Sequence, residues 1–263
     1  MAGKRRSGTL LRKTYPILEF DGARRAVINP TNASGTRAPA HCILCFFREV
    51  TDSLRAAAGT EEITRLKSEA WAEPLLRIAV SARSLAVLHP GVGAPLAAAF
   101  LEELIALGCR KFIACGSAGV LDSNIARGHI VVPTAAVRDE GTSYHYLAPG
   151  REIEPSRRGV NAICRVLSSH GIPFVRGKTW TTDAFYRETH AKVALRRAEG
   201  CITAEMEAAA FFAVAKFRRV TFAQMLYGGD DISGLEWDPR QWDARTPARE
   251  RLFWLAVEAC LLL

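Results

Sequence analysis

Two carboxylates, Glu205 and Glu207, head a stretch that is otherwise apolar. Thr203-Ala204-Glu205-Met206-Glu207-Ala208-Ala209-Ala210 continues through Phe211 and Phe212 to Val214. The pattern reads as a helix buried on nearly all sides. A carboxylate entering a core needs a partner, and the free N–H groups and positive dipole end of a helix start are one source. Two such groups in one place imply that at least one meets a ligand. Helical positions turn by about 100° each, so residues two apart point nearly opposite ways and cannot share one task.

Asp230-Asp231, after Gly228-Gly229, is a second acidic pair. Adjacent carboxylates push one pKa upward, as a general acid near neutral pH requires; a solvated turn accounts for them equally well. Gly116-Ser117-Ala118-Gly119 follows an apolar run and reads either as a cradle of backbone N–H groups for an oxyanion or as a plain tight turn. Phe185 and Tyr186, beside Asp183, offer a stacking surface for a flat ring, or simply core. His145 sits between two tyrosines as a surface or hydrogen-bonding residue. The six histidines are too dispersed for a metal site, and neither HExxH nor GxSxG occurs. No metal is expected.

These groups need a scaffold that brings them together. Tyr15–Phe20 reads as a first strand and His41–Val50 as a second apolar segment, with residues 51–80 as helix and irregular surface. Arg83–His89 reads as a buried strand closed by Pro90-Gly91-Val92-Gly93-Ala94-Pro95. A helix from Leu96 to Leu107 ends at Gly108. Strands at Lys111–Cys115, His129–Val137, Phe174–Thr181 and Val220–Tyr227 alternate with helices near 156–170, after Thr203 and over 247–262. Continuous apolar strands between helices imply an α/β fold with a mixed, mostly parallel central sheet flanked by helices on both faces. Ligands bind such sheets beyond the carboxyl ends of the strands. Those ends carry Gly91–Gly93, Gly116–Gly119, Thr142–Tyr146, Asp183–Tyr186 and Asp230–Asp231. Residues 1–12 read as a flexible basic arm and 13–263 as one α/β domain.

The chain has 263 residues and a formal charge of +8, mostly from scattered arginines. Such charge steers anions such as phosphate. With no interleaved basic and aromatic patch, nucleic acid is not an expected partner. No apolar run is long enough to span a membrane. Seven cysteines at irregular spacing, most within apolar runs, fit free thiols in a reducing cytoplasm. The CxxC at Cys42–Cys45 has no second pair and reads as two core thiols.

Together these residues resemble the nucleoside phosphorylase family, which includes uridine phosphorylase, the hexameric purine nucleoside phosphorylases and related nucleosidases. The resemblance covers roughly residues 14–262. Its most specific element is Glu205-Met206-Glu207-Ala208-Ala209-Ala210 followed by Asp230, with 22 residues between Glu207 and Asp230. The resemblance assigns Glu207 to the ribose hydroxyls, Met206 to the sugar face, Asp230 to protonation of a purine, and Phe185 to the base. It assigns Gly116, Ser117 and Arg24 to phosphate, and Arg48 to the phosphate of a neighbouring subunit. It implies phosphate-dependent cleavage of the N-glycosidic bond of a purine nucleoside, giving free base and ribose 1-phosphate. Inorganic phosphate is the co-substrate, no other cofactor is needed, and the active unit is at least a dimer, by family precedent a hexamer.

Three positions depart from the family pattern. Phe20 replaces the glycine of the first phosphate loop, and Ala114 stands where an arginine usually precedes the Gly-Ser pair. Thr189 and Ala191 replace the glutamine and arginine that read uracil. Ala114 and the loop Gly116-Ser117-Ala118-Gly119 resemble the nucleosidase branch, in which water replaces phosphate, while Arg24 and Arg48 point the other way; the incomplete phosphate site also admits a nucleoside-binding protein without catalysis. The role of Glu205 stays open.

Overall fold

The computed structural model describes residues 10–32, 35–244 and 247–263. Among these, ten strands form one sheet: β1 (His41–Cys45), β2 (Glu61–Lys67), β3 (Ala72–Val80), β4 (Arg83–Leu88), β5 (Lys111–Val120), β6 (Ile130–Asp139), β7 (Glu152–Ile153), β8 (Phe174–Thr182), β9 (Cys201–Glu205) and β10 (Thr221–Asp231). Six α-helices accompany them: α1 (Arg48–Ala56), α2 (Ala94–Leu107), α3 (Arg157–Ser169), α4 (His190–Ala198), α5 (Ala208–Arg218) and α6 (Pro247–Leu261). The predicted α/β class with a mixed sheet is what the chain adopts.

The sheet order is β10-β6-β8-β9-β5-β1-β4-β3-β2, and β10 also pairs with β5. Five strands, β5, β10, β6, β8 and β9, therefore close on themselves as a small barrel, from which β1, β4, β3 and β2 extend as an open wing. The centre is parallel: β1 pairs with β4 and β5, and β5 with β10. These strands are apolar along their whole length because both faces are covered. Phe112, Ala114 and Phe222 pack beneath α2 and α5. Ile113, Cys115 and Met225 pack beneath α3 and α6. In α5, every residue from Ala208 to Ala215 is buried, as its all-apolar sequence demands.

β5 carries the feature that matters most. β1 pairs with it from Lys111 to Cys115, and β9 takes up the same edge at Gly119 and Val120. Between them, Gly116-Ser117-Ala118 has no strand on that side among the described residues. On the other edge β10 runs alongside without interruption from Thr221 to Gly228. A crevice thus opens where two strands part from a third, the position at which open α/β sheets bind ligands.

Three expectations need correction. Thr203–Ala210 is not one helix: Cys201–Glu205 is a strand, Met206 and Glu207 form a bend, and the helix begins at Ala208. Residues 51–80 are not mainly helix, since β2 and β3 form an antiparallel pair there; the charged residues of β2 blur its alternation. Tyr15–Phe20 forms a single 3-10 turn, Pro16–Leu18, and no strand. The expected 1–12 arm lies mostly outside the described residues; residues 10–12 are exposed coil.

α3 meets β10 at Gly159. A Cβ there would come within 2.6 Å of the Ala223 Cβ, which has no torsion with which to withdraw. Gly159→Ala is expected to destabilise the fold by about 1–3 kcal/mol through overpacking, in spite of its better helix propensity. Denaturant unfolding with an unchanged m-value would measure this; a stabilised variant would contradict the close approach.

Candidate functional site

Glu207 occupies the N-cap position of α5 and is buried. Its Oε1 accepts a 2.6 Å hydrogen bond from Gly93 N, on the loop between β4 and α2. Gly91 and Gly93 have φ of 75° and 94°, a region that excludes most side chains, so this turn can bring an N–H to the carboxylate. His89 holds the same loop: its Nδ1 accepts from Gly91 N at 3.1 Å. Burial and the nearby Arg48 charge push the His89 pKa down to about 4. The imidazole is therefore neutral at pH 7 and acts as an acceptor.

Glu205, two residues earlier on β9, does different work. Its carboxylate accepts from Thr181 Oγ1 at 2.6 Å and from the backbone N–H groups of Glu207 and Ala208 at 2.7 and 2.6 Å. It ties β8 and β9 to the first turn of α5. Separate tasks for the two glutamates hold, but the reason is a strand-to-helix bend and not helical rotation. Burial raises both pKa values, and the charge of Glu205 further raises that of Glu207. Glu205 has three close donors favouring its ionised form, so the pKa of Glu207 is raised further than that of Glu205.

Asp230 lies on the opposite flank of β5. A bulge between Gly228 and Asp231 turns its side chain over Gly119, where a Cβ would lie 3.5 Å from Oδ1. Its Oδ2 accepts from Trp237 Nε1 at 2.7 Å. Asp231 has a different role, as it pairs with Arg240 and accepts from Ser233 N at 2.7 Å. The pair is thus divided: Asp231 fixes the following loop and Asp230 faces the crevice. β9 and β10 pair with opposite edges of β5, so Glu207, just past the end of β9, and Asp230, on β10, stand on its two flanks.

The glycine-serine segment forms the floor. Gly116 is buried, and a Cβ there would lie 3.1 Å from Phe46 Cδ2. Met206 is half-buried in the bend. Phe185 and Tyr186 follow β8, exposed, with ring centroids 4.2 Å apart. Glu188, just beyond them, is pushed up to about 7 by burial and by the Asp230 charge. Asp183 Oδ2 accepts from Gly141 N at 2.8 Å, which joins the β6 and β8 loops at the rim.

Two predicted residues stand elsewhere. The Arg24 guanidinium lies 4.5 Å from the Phe217 ring centroid, and its carbonyl accepts from Arg218 Nη1 at 3.3 Å. Phe217 is ten positions beyond Glu207, about 15 Å along the helix. Arg24 is thus at the far end of α5, held by stacking, and does not join Gly116 and Ser117. Arg48, at the start of α1, makes a two-pronged contact with buried Glu73 at 2.6 and 2.9 Å. This contact holds it against β3 on the wing, with its charge still within reach of His89.

Four contributors escaped the sequence reading. Thr181 and Trp237 are ordinary by type, and only their contacts mark them. His89 had a signal, a histidine closing a buried strand before Pro-Gly-x-Gly, and so had Glu188, a carboxylate beside two aromatic residues. Among the described residues no group of three or more His, Cys, Asp or Glu side chains is placed to hold a metal ion, and no helix is long and apolar enough to cross a membrane.

Comparison with known proteins fits this geometry. A family model described as the phosphorylase superfamily matches residues 42–251. A guanosine phosphorylase from Halorubrum lacusprofundi is 31% identical over 132 residues, which are 50% of this chain and 55% of that protein. The match thus spans about half the length of that relative. A uridine phosphorylase from Treponema pallidum is 30% identical over 194 residues, 68% of this chain and 73% of its own. Among solved structures, the purine nucleoside phosphorylase of Toxoplasma gondii in complex with immucillin-H superposes with a TM-score of 0.71 at 19% identity, covering 90% of this chain and 96% of the other. The AMP nucleosidase of Bacteroides thetaiotaomicron superposes at 0.67 and 21% identity, covering 84% and 87%.

The raised pKa of Glu207 makes a measurable demand. An ionised carboxylate accepts hydrogen bonds from a donor ligand more strongly than its protonated form does. Ligand binding near pH 7 is therefore expected to release a proton, seen as a dependence of calorimetric heat on buffer ionisation enthalpy, and Glu207→Gln is expected to abolish it. Because folding raises this pKa, stability is lost as pH climbs from the ordinary carboxylate range through the folded value, and the same variant should flatten that slope. Proton release that persists in Glu207→Gln would assign the titration elsewhere.

Proposed function

The chain belongs to the phosphorylase superfamily, and on that premise we propose that it cleaves the N-glycosidic bond of a nucleoside with inorganic phosphate, giving free base and ribose 1-phosphate. The observation that carries the reading is the crevice over Gly116–Ala118, with Glu207 on one flank and Asp230 on the other. Cleavage leaves electron density on the base and positive charge on the ribose. Glu207 accepts hydrogen bonds from the 2′- and 3′-hydroxyls, and its negative charge favours the cationic sugar. Met206 packs against the ribose, and Phe185 with Tyr186 stacks on the base.

Asp230, when protonated, donates to N7 of a purine as the bond breaks. Trp237 fixes Oδ2 and so orients the group. Phosphate approaches over Gly116 and Ser117 and attacks the anomeric carbon, so that the C–O bond forms as the C–N bond breaks. A purine is favoured by Asp230 and by Thr189 and Ala191. No cofactor beyond phosphate takes part. We further propose that residues 13–263 act as one domain, and that the active unit is a homo-oligomer, at least a dimer and by family precedent a hexamer, in which Arg48 leaves or shares Glu73 to reach a neighbour's phosphate.

The second reading is hydrolysis. Ala114 and the distant Arg24 remove two cations from the phosphate side, and one structural neighbour is an AMP nucleosidase. The two readings part in one assay, in which inosine, guanosine, adenosine and uridine are incubated with and without phosphate and base and ribose 1-phosphate are quantified. Phosphate-dependent release from a purine nucleoside is expected, and phosphate-independent release would replace the first reading with the second. Asp230→Asn is expected to lower purine turnover by about 10²–10⁴-fold, the usual contribution of a general acid, with nucleoside binding largely kept. Unchanged kcat in that variant would remove the acid role.

A further inference from the structure

His89 follows the last residue of β4 and is 8% exposed. The chemistry proposed above leaves it no task, and among the described residues no hydrogen bond or ion pair joins it to Glu207. It stands instead between two parts of the crevice. On one side is the floor. The His89 ring meets the Phe46 ring edge-on at 6.2 Å, and the Phe46 carbonyl is close enough to attract its ring proton. Phe46 N in turn donates to Cys115 O at 3.0 Å, and the Phe46 side chain presses on Gly116. On the other side is the loop to α2, where His89 Nδ1 accepts from Gly91 N at 3.1 Å. The two contacts select one tautomer, with Nδ1 bare and the proton on Nε2.

The loop needs such a strut because its decisive group is poorly held from the helix side. Gly93 is the N-cap of α2, and its carbonyl accepts from Ala97 N at 3.1 Å. That bond fixes the carbonyl of Gly93 and leaves its N–H to the peptide before it. This peptide turns on a glycine φ of 94°, and its N–H is the one that donates to Glu207 Oε1 at 2.6 Å. Val92 is 64% exposed, so its side chain does little to steady the peptide.

The nearest fixed point upstream is Gly91, which is buried. Its backbone lies so close to α2 that a Cβ would come within 2.4 Å of Leu96 Cδ2. Pro90 has no N–H, so Gly91 supplies the first donor of the turn. A buried donor deprived of its acceptor is costly, and the turn would shift to find another. His89 thus holds Gly91, Gly91 aims the peptide that ends in Gly93 N, and that N–H occupies Oε1 of Glu207. A carboxylate that must meet two neighbouring hydroxyls at once tolerates little misplacement.

We propose that His89 is a positioning residue that sets the preference of the crevice for ribose over deoxygenated sugars, acting on Glu207 through Gly91 and Gly93. The inference rests on the reading of Glu207 as the ribose clamp, and it holds for phosphate or water as nucleophile.

The test compares kcat/KM for inosine with that for 2′,3′-dideoxyinosine in phosphate buffer. The ratio of the two, taken relative to wild type, cancels the differing lability of the two sugars and any loss of folded protein. His89→Leu removes the acceptor at similar size and is expected to lower the ratio by about 10-fold or more, the worth of one hydrogen bond to a charged group. His89→Asn places an oxygen where Nδ1 stood and is expected to restore most of it. In a Glu207→Gln background, His89→Leu should change the ratio no further, since both act through one contact. A ratio that His89→Leu leaves at the wild-type value while Glu207→Gln lowers it would overturn the role of His89 alone. Equal losses on both substrates would reduce His89 to a general support of the fold and also overturn it. A ratio unmoved by Glu207→Gln would instead defeat the ribose reading of Glu207 on which the inference stands.

Discussion

The molecule is organised by the way β5 shares its edge. β1 holds that edge up to Cys115 and β9 resumes it at Gly119, so on that edge the three residues between face no strand among the described residues, while β10 pairs with their other side. The parting needs small residues, and Gly-Ser-Ala-Gly supplies them; at Gly116 even a methyl group would press on Phe46. From this arrangement the rest follows. The loop after β1 turns into α1, β9 is free to bend into α5, and β10 passes behind to bring Asp230 over Gly119. The ring of five strands exists because β10 and β9 both close back on β5.

Energetic magnitudes explain why one glutamate serves the fold and the other the crevice. A hydrogen bond to a charged group contributes about 1.5–3 kcal/mol. Glu205 has three short ones, enough to offset much of the desolvation of an ion. Glu207 has one short one, from Gly93, and with the Glu205 charge beside it is left with the larger upward shift. The residue with the fewest internal partners is the one able to accept external hydroxyls. The single bend at Met206 accomplishes this division, turning consecutive odd positions from a strand edge to a helix cap.

Much of this was legible in the sequence because the strands beneath the crevice are continuous apolar runs and their ends are marked by glycines and acids. The predicted meeting of five turns appears as Gly93 on Glu207, Gly119 under Asp230 and Gly141 on Asp183. What the sequence concealed has physical causes. Cys201–Glu205 is too short, and too continuous with the apolar helix after it, for periodicity to separate the two. The β2–β3 pair hides behind charges. Arg24 matches a motif by spacing, but Phe217 and Arg218 offer its side chain and carbonyl local partners, and spacing along a chain carries no information about such competition. Trp237 reaches Asp230 from seven residues away through a loop that no pattern describes.

Closing five strands into a ring leaves the sheet with one long open edge, β2, besides the two-residue β7. Unpaired strand edges invite other chains, and β2 is exposed over most of its length. Its sequence is Glu61-Glu62-Ile63-Thr64-Arg65-Leu66-Lys67, and it is laced to its surroundings by Arg65–Glu62, Arg55–Glu62 and Arg77–Glu61 pairs. Exposed pairs of this kind add little to folding stability. Here their value is colloidal: a second molecule adding a strand to β2 would have to bury four charged side chains, and that penalty guards the one long edge among the described residues at which the sheet could grow into an aggregate.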